Sequence, residues 1–156
     1  RKAFLHSHSY TGNALACRAA LETLAIFRDE PVLEANRARA RALAAALAPL
    51  ADHPHVGDVR QCGMIAAVEM VQDRATRTPY DWRERRGLTV YRHALSRGVL
   101  LRPLGNVVYF MPPYAVDDDA IRLMATVATE GIDLATRAPG RGMRPRGEAD
   151  PAALEV

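Results

Sequence analysis

Lysine is nearly missing from this chain: Lys2 is the only one among 21 basic residues, and any chemistry that needs a side-chain amine must use it or find one elsewhere. Cysteine is almost as scarce. Cys17 and Cys62, far apart in sequence, are too few for a disulfide framework or a zinc knuckle, and both are expected to be buried small hydrophobes. Aromatic residues make up only 6%, and none interleave with basic ones to form a stacking platform. The formal charge of +3 comes from arginines spread through helical stretches and balanced by acids, so no nucleic-acid partner is expected. No apolar run reaches membrane-spanning length and no signal-peptide pattern with a cleavage site occurs. No membrane partner and a cytoplasmic location are therefore the expectation. There is no internal repeat.

With 156 residues and a hydrophobic fraction of 49%, the chain can bury one modest core. Helical spacing of Leu15, Ala19, Leu21, Leu24, Ala25 and Ile26 predicts a helix over 14–27. Pro31 ends or restarts it, with Asp29 as the expected cap of a second helix over 32–50, whose Arg37, Arg39 and Arg41 should face outward. Asp52, His53 and His55 lack further ligands at metal spacing and form a loop; no metal site is expected. Residues 56–61 and 64–71 form two strands joined at Cys62 and Gly63. A helix over 85–96 closes at Arg97 and Gly98, then 99–102 and 107–111 give a strand and its return. Asp117 to Asp119 cap a last helix over 120–136, with Ile121, Met124, Val127, Ala128, Ile132 and Leu134 on its apolar side. From Ala138 onward the Gly, Pro and Arg content cannot bury a core, and a disordered tail is expected. The sum is an α/β fold, with helices on a small, mainly antiparallel or mixed sheet.

The chemistry concentrates in His6-Ser7-His8-Ser9-Tyr10-Thr11-Gly12-Asn13. A hydroxyl-rich turn here delivers backbone N–H groups to the start of a helix, a suitable seat for an anion such as phosphate. Gly12 permits positive φ or a close ligand, and Asn13 or Thr11 can cap the helix. Local chemistry alone favours an ordinary capped turn. The full run HSHSYTGNALAC, however, resembles the H-[GS]-x-[ST]-x-x-G-N-P-L-[AG] segment of class III (subgroup II) pyridoxal-phosphate aminotransferases. The later VLLRPLGNVVYFMPPY, residues 99–114, is similar to the distal segment of those members that serve biotin biosynthesis.

That resemblance, over residues 4–136, implies the C-terminal small domain of a fold-type I enzyme that depends on pyridoxal 5'-phosphate. Residues 1–31 would be the last elements of the large cofactor-binding domain, 32–137 the small α/β domain, and 138–156 a tail outside both. It implies a homodimer with composite active sites, in which Ser9 reaches the phosphate of the neighbouring subunit's cofactor and His8 offers a backbone amide beside it. Ser7 stands where relatives often have Gly, next to bound substrate. Arg102 is implied to hold the carboxylate of a small-molecule keto-acid acceptor, 8-amino-7-oxononanoate, with S-adenosylmethionine as amino donor; Tyr109 would line the same pocket. From the residues alone, Arg102 could equally pack over a sheet edge and Tyr109 could be a core aromatic. In the family the lysine that anchors the cofactor lies tens of residues before the turn, so Lys2, seven before Ser9, does not match it. No catalytic residue is assigned, and the chain is expected to be an inactive portion of a longer enzyme. Another class III ω-aminotransferase, or a stand-alone ligand-binding or interaction domain, are the alternative readings.

Overall fold

The computed structural model describes residues 8–137; Lys2, Ser7 and the tail from residue 138 lie outside the described residues. Helix α1 spans Ala14–Asp29 and α2 spans Val32–Leu47, continued by a 3-10 turn at Ala48–Asp52. Strands β1 (Val56–Cys62), β2 (Ile65–Asp73) and β3 (Thr78–Pro79) follow, then α3 (Arg86–Ser96), β4 (Val107–Phe110) and α4 (Asp118–Arg137).

β2 is the central strand, paired antiparallel with β1, β3 and β4; among the described residues the sheet is antiparallel throughout rather than mixed. Strict alternation along β2 and β4 divides the sheet into two faces. Ala66, Val68, Met70, Val108 and Phe110 are buried in one core with Leu43 and Leu47 of α2, Val90 and Ala94 of α3, and Ile121, Ala128 and Ile132 of α4. The opposite face carries Asp58, Arg60, Ala67, Glu69 and Tyr109, none of them buried. Burying a Leu, Val or Phe side chain contributes about 1.5–3 kcal/mol, so the helix-covered face stabilises the domain and leaves the other face to function.

Several local expectations are corrected. Asp29 ends α1, bonded to Arg28, and α2 starts at Pro31 without a side-chain cap. Arg39 is half-buried because its Nε donates to Val116 O at 3.1 Å, tying α2 to the approach to α4. Leu134 is exposed and Ala135 takes its place in the core, one residue further round the helix. Residues 99–102 alternate as a strand does, with Val99 and Leu101 buried and Leu100 and Arg102 outside, yet they form no strand and join no sheet among the described residues. Cys17 and Cys62 are both exposed, the first on α1 and the second at the outer end of β1.

α1 is the exception to the packing. None of its residues is buried, and Leu15 is 83% and Leu24 65% exposed, although its apolar period is the one expected. The core begins with α2.

Candidate active site

The turn ahead of α1 is built from its own hydroxyls and carbonyls. Thr11 N–H donates to His8 O at 3.0 Å and Asn13 N–H to Tyr10 O at 3.1 Å, while Thr11 Oγ1 accepts from His8 N–H at 2.8 Å. Gly12 sits at φ +79°, and a Cβ there would meet nothing within 4 Å, so the open side of the turn is real space. Asn13, not Thr11, caps the helix: its Oδ1 accepts from Ala16 N–H at 2.9 Å. No acid stands in the first turn of α1, a 16-residue helix whose N-terminal end carries partial positive charge, and Ser9 in the preceding turn is exposed. These features suit a phosphate dianion, and the residues present fit the phosphate of pyridoxal 5'-phosphate.

Arg102 lies in the connection from α3 to β4. It is exposed, and among the described residues no carboxylate lies within ion-pair distance of it. An Arg holding a sheet edge would show burial or a partner; Arg102 shows neither. Tyr109 belongs to β4, directly opposite Ala67 of β2, which is itself opposite Arg60 of β1. The tyrosine is half-buried and on the face away from the core, so it is not a core aromatic.

Arg60, in the same cross-strand row, is a different kind of arginine. Its Nη1 bonds Asp58 Oδ2 and Glu69 Oε2, both at 2.9 Å, and these two carboxylates hold its pKa above the ordinary arginine value. Its charge is already matched, so it does not compete with Arg102 for an incoming acid. No hydrogen bond or ion pair among the described residues joins Ser9 to Arg102 or Tyr109. Among the described residues the candidate side chains thus fall in two separate places, the turn ahead of α1 and the loop that bears Arg102.

His53 and His55, set aside as loop residues, instead form a hydrogen-bonded chain. His53 Nε2 meets Asp133 Oδ1 at 3.1 Å, His53 Nδ1 accepts from His55 N–H at 3.1 Å, and His55 Nδ1 meets Tyr80 OH at 3.0 Å. The backbone bond requires a lone pair on His53 Nδ1, so the proton toward Asp133 sits on Nε2. The Arg86 guanidinium lies 4.0 Å over the Tyr80 ring. Tyr80 in turn offers its carbonyl to Asn106 Nδ2 at 2.7 Å, a bond to the arginine-bearing loop that the sequence did not foretell.

The family model for class III aminotransferases matches residues 2–130. The chain belongs to the class III aminotransferases. It is 44% identical over 154 residues to the adenosylmethionine-8-amino-7-oxononanoate aminotransferase of Nitratidesulfovibrio vulgaris, covering 96% of this chain and 28% of that protein. The crystal structure of the enzyme of the same name from Methanocaldococcus jannaschii superposes with a TM-score of 0.78 at 36% identity, over 84% of this chain and 30% of that one. A thermostable omega transaminase 6-fold mutant from Pseudomonas jessenii gives 0.77 at 32% identity, over 86% and 30%. The chain therefore spans less than a third of the length of these relatives. Class III members depend on pyridoxal phosphate, and the fold described here is a part of theirs.

Proposed function

We propose that the chain is the C-terminal part of a cytoplasmic, homodimeric aminotransferase that moves an amino group from S-adenosylmethionine to 8-amino-7-oxononanoate, giving 7,8-diaminononanoate for biotin biosynthesis. The observation that carries this reading is the 44% identity over nearly the whole chain to an enzyme of that name, against 32% to an omega transaminase whose fold matches as well. The carboxylate of the acceptor gives a purpose to Arg102, which is exposed and has no ion pair among the described residues.

Pyridoxal phosphate, when bound, takes the amino group from the donor and returns it to the keto acceptor. This chain's contribution is to bind and orient. The turn supplies the Ser9 hydroxyl to the phosphate, in the site of the partner subunit, whereas the His8 backbone amide implied beside it donates to Thr11 Oγ1 in this structure. Ser7, outside the described residues, would flank the substrate. Arg102 grips the acceptor's carboxylate through two parallel N–H donors, and Tyr109 walls the same pocket. Residues 1–31 belong, in this reading, to the large domain and 32–137 to the small one. The support is that α1 buries none of its residues, while the core starts at α2.

The test follows cofactor absorbance in the full-length enzyme. S-adenosylmethionine should convert the bound cofactor to its amine form, and 8-amino-7-oxononanoate should restore it. Conversion by putrescine or alanine but not by S-adenosylmethionine would assign the chain to another ω-aminotransferase.

A further inference from the structure

Gly87 is a helix residue with no conformational reason to be glycine. It lies in the first turn of α3, is buried, and is absent from the residues at positive φ, so its backbone is one that alanine adopts freely. Glycine in a helix is destabilising relative to alanine, which makes an unexplained one worth accounting for. Its surroundings supply the reason. A Cβ at Gly87 would overlap the carbonyl oxygen of Gly105 and would lie 2.8 Å from Pro103 Cβ and 3.1 Å from Pro103 Cγ. The segment Arg102-Pro103-Leu104-Gly105 therefore rests flush on the start of α3, with nothing between the two backbones. The obstacle is a main-chain oxygen and a proline ring of fixed φ, neither of which swings aside as the tip of a long side chain would.

The same loop is fastened on its other flank. Asn106 Nδ2 donates to Tyr80 O at 2.7 Å, and Asn106 O accepts from Met70 N–H of the central strand at 2.9 Å. Leu104 N–H donates to Val107 O at 2.8 Å and Val107 N–H to Leu104 O at 3.0 Å, closing the loop on itself. On the near side Leu101 is 2% exposed, anchored in the core. Arg102 is thus the free residue between a buried leucine and a proline pressed against a helix. Its main chain is held while its guanidinium is left to solvent.

We propose that Gly87 and Asn106 are positioning residues for Arg102, fixing the base of its side chain so that the two-point grip on the acceptor's carboxylate is made at the right place. This rests on the reading of Arg102 given above. A bidentate contact is intolerant of displacement, and a shift near 1 Å at such a group is worth on the order of a hundredfold in rate. Neither residue touches substrate; both act through Arg102.

The experiment uses the full-length holoenzyme with Gly87→Ala, Asn106→Ala, Arg102→Ala and, as a steric control, Gly131→Ala. Gly131 is buried in α4, where an added Cβ would come 3.0 Å from Val90 Cγ1, an insult to α3 packing at Val90 that meets no atom of the Arg102 loop within its three nearest contacts. The acceptor half-reaction is measured with 8-amino-7-oxononanoate and with its methyl ester, and the donor half-reaction separately. Gly87→Ala and Asn106→Ala should each lower the acid-to-ester rate ratio by about tenfold to a hundredfold and leave the donor step unchanged. Gly131→Ala should leave the ratio at the wild-type value. Adding Asn106→Ala to Arg102→Ala should not lower the ratio further, since the residue it positions is gone. If Gly87→Ala does not accumulate as holoenzyme, Asn106→Ala decides. An unchanged ratio in Asn106→Ala beside a reduced one in Arg102→Ala overturns the positioning role and leaves the reading of Arg102 standing. An unchanged ratio in Arg102→Ala itself overturns that reading, and the positioning role with it.

Discussion

Ser9 and Tyr80 show how single side chains in this chain divide between function and frame. In the reading proposed above Ser9 meets the phosphate; it is exposed, on a turn where the Thr11 hydroxyl accepts from His8 N–H. Ser9→Ala in the full-length enzyme should remove one hydrogen bond to a charged phosphate, a loss of about 1.5–3 kcal/mol. On that arithmetic cofactor affinity falls about tenfold to a hundredfold, which titration of the apoenzyme followed by absorbance would measure. An unchanged affinity would remove Ser9 from the phosphate seat. Tyr80 serves the frame. Burial pushes its pKa up, opposed by the nearby Arg86 guanidinium and assisted by Glu84. A folded pKa raised above the unfolded value of about 10 means that this contribution to stability is complete below pH 10 and lost as pH rises through the folded value. Urea unfolding midpoints should therefore decline on the alkaline side of pH 10. Tyr80→Phe should flatten that decline while lowering stability at neutral pH through the lost bond to His55; an equally steep decline in both proteins would assign it to other groups.

At the scale of elements, the stretches legible in the sequence were those whose burial follows local periodicity. The alternation in β2 and β4 and the helical period of α4 named most of the core, and Asp117 caps α4 as its position implied, accepting from Ala120 N–H at 2.8 Å. Pairing was not legible. Residues 99–102 have the alternation of a strand yet join no sheet among the described residues, because pairing depends on neighbours and not on the segment alone. The exposure of Cys17 likewise depends on what covers α1, which no pattern within α1 records. Close approach between elements was equally hidden. Gly131 of α4 sits 3.2 Å, measured from an added Cβ, from the Val90 main chain of α3, which lets these two helices meet closely. Gly131→Ala should cost about 1–3 kcal/mol by overpacking. Glu130→Gln, one residue earlier, weakens only half-exposed pairs with His93 at 2.8 Å and Arg97 at 3.3 Å and should cost at most about 1 kcal/mol. Denaturant midpoints of the two variants compare seam against surface; a larger loss in Glu130→Gln would reverse the ranking.

In the whole molecule, the proposed reading lets the Ser9 turn and the Arg102 loop serve different cavities, and no bond among the described residues joins the two, which suits composite active sites. The turn and α1 stand outside the core from which the Arg102 loop and Tyr109 project. The proposal that Ser9 serves the partner subunit's cofactor is open to a direct test in the full-length homodimer. Placing Ser9→Ala and a substitution of the cofactor-anchoring lysine in separate chains leaves one intact site only if Ser9 acts across the interface, and none if it acts within its own subunit. Placing both lesions in one chain gives the converse pattern. Paired with a wild-type chain, such a double variant leaves one intact site if Ser9 acts within its own subunit, and the heterodimer should then show half the wild-type activity. If Ser9 acts across the interface, one site lacks the lysine and the other lacks the serine, so the remaining activity should carry the weakened cofactor affinity of Ser9→Ala. The discriminating measurement is activity of the purified heterodimer as a function of added cofactor. Wild-type cofactor dependence would place Ser9 in its own subunit's site and overturn the composite arrangement.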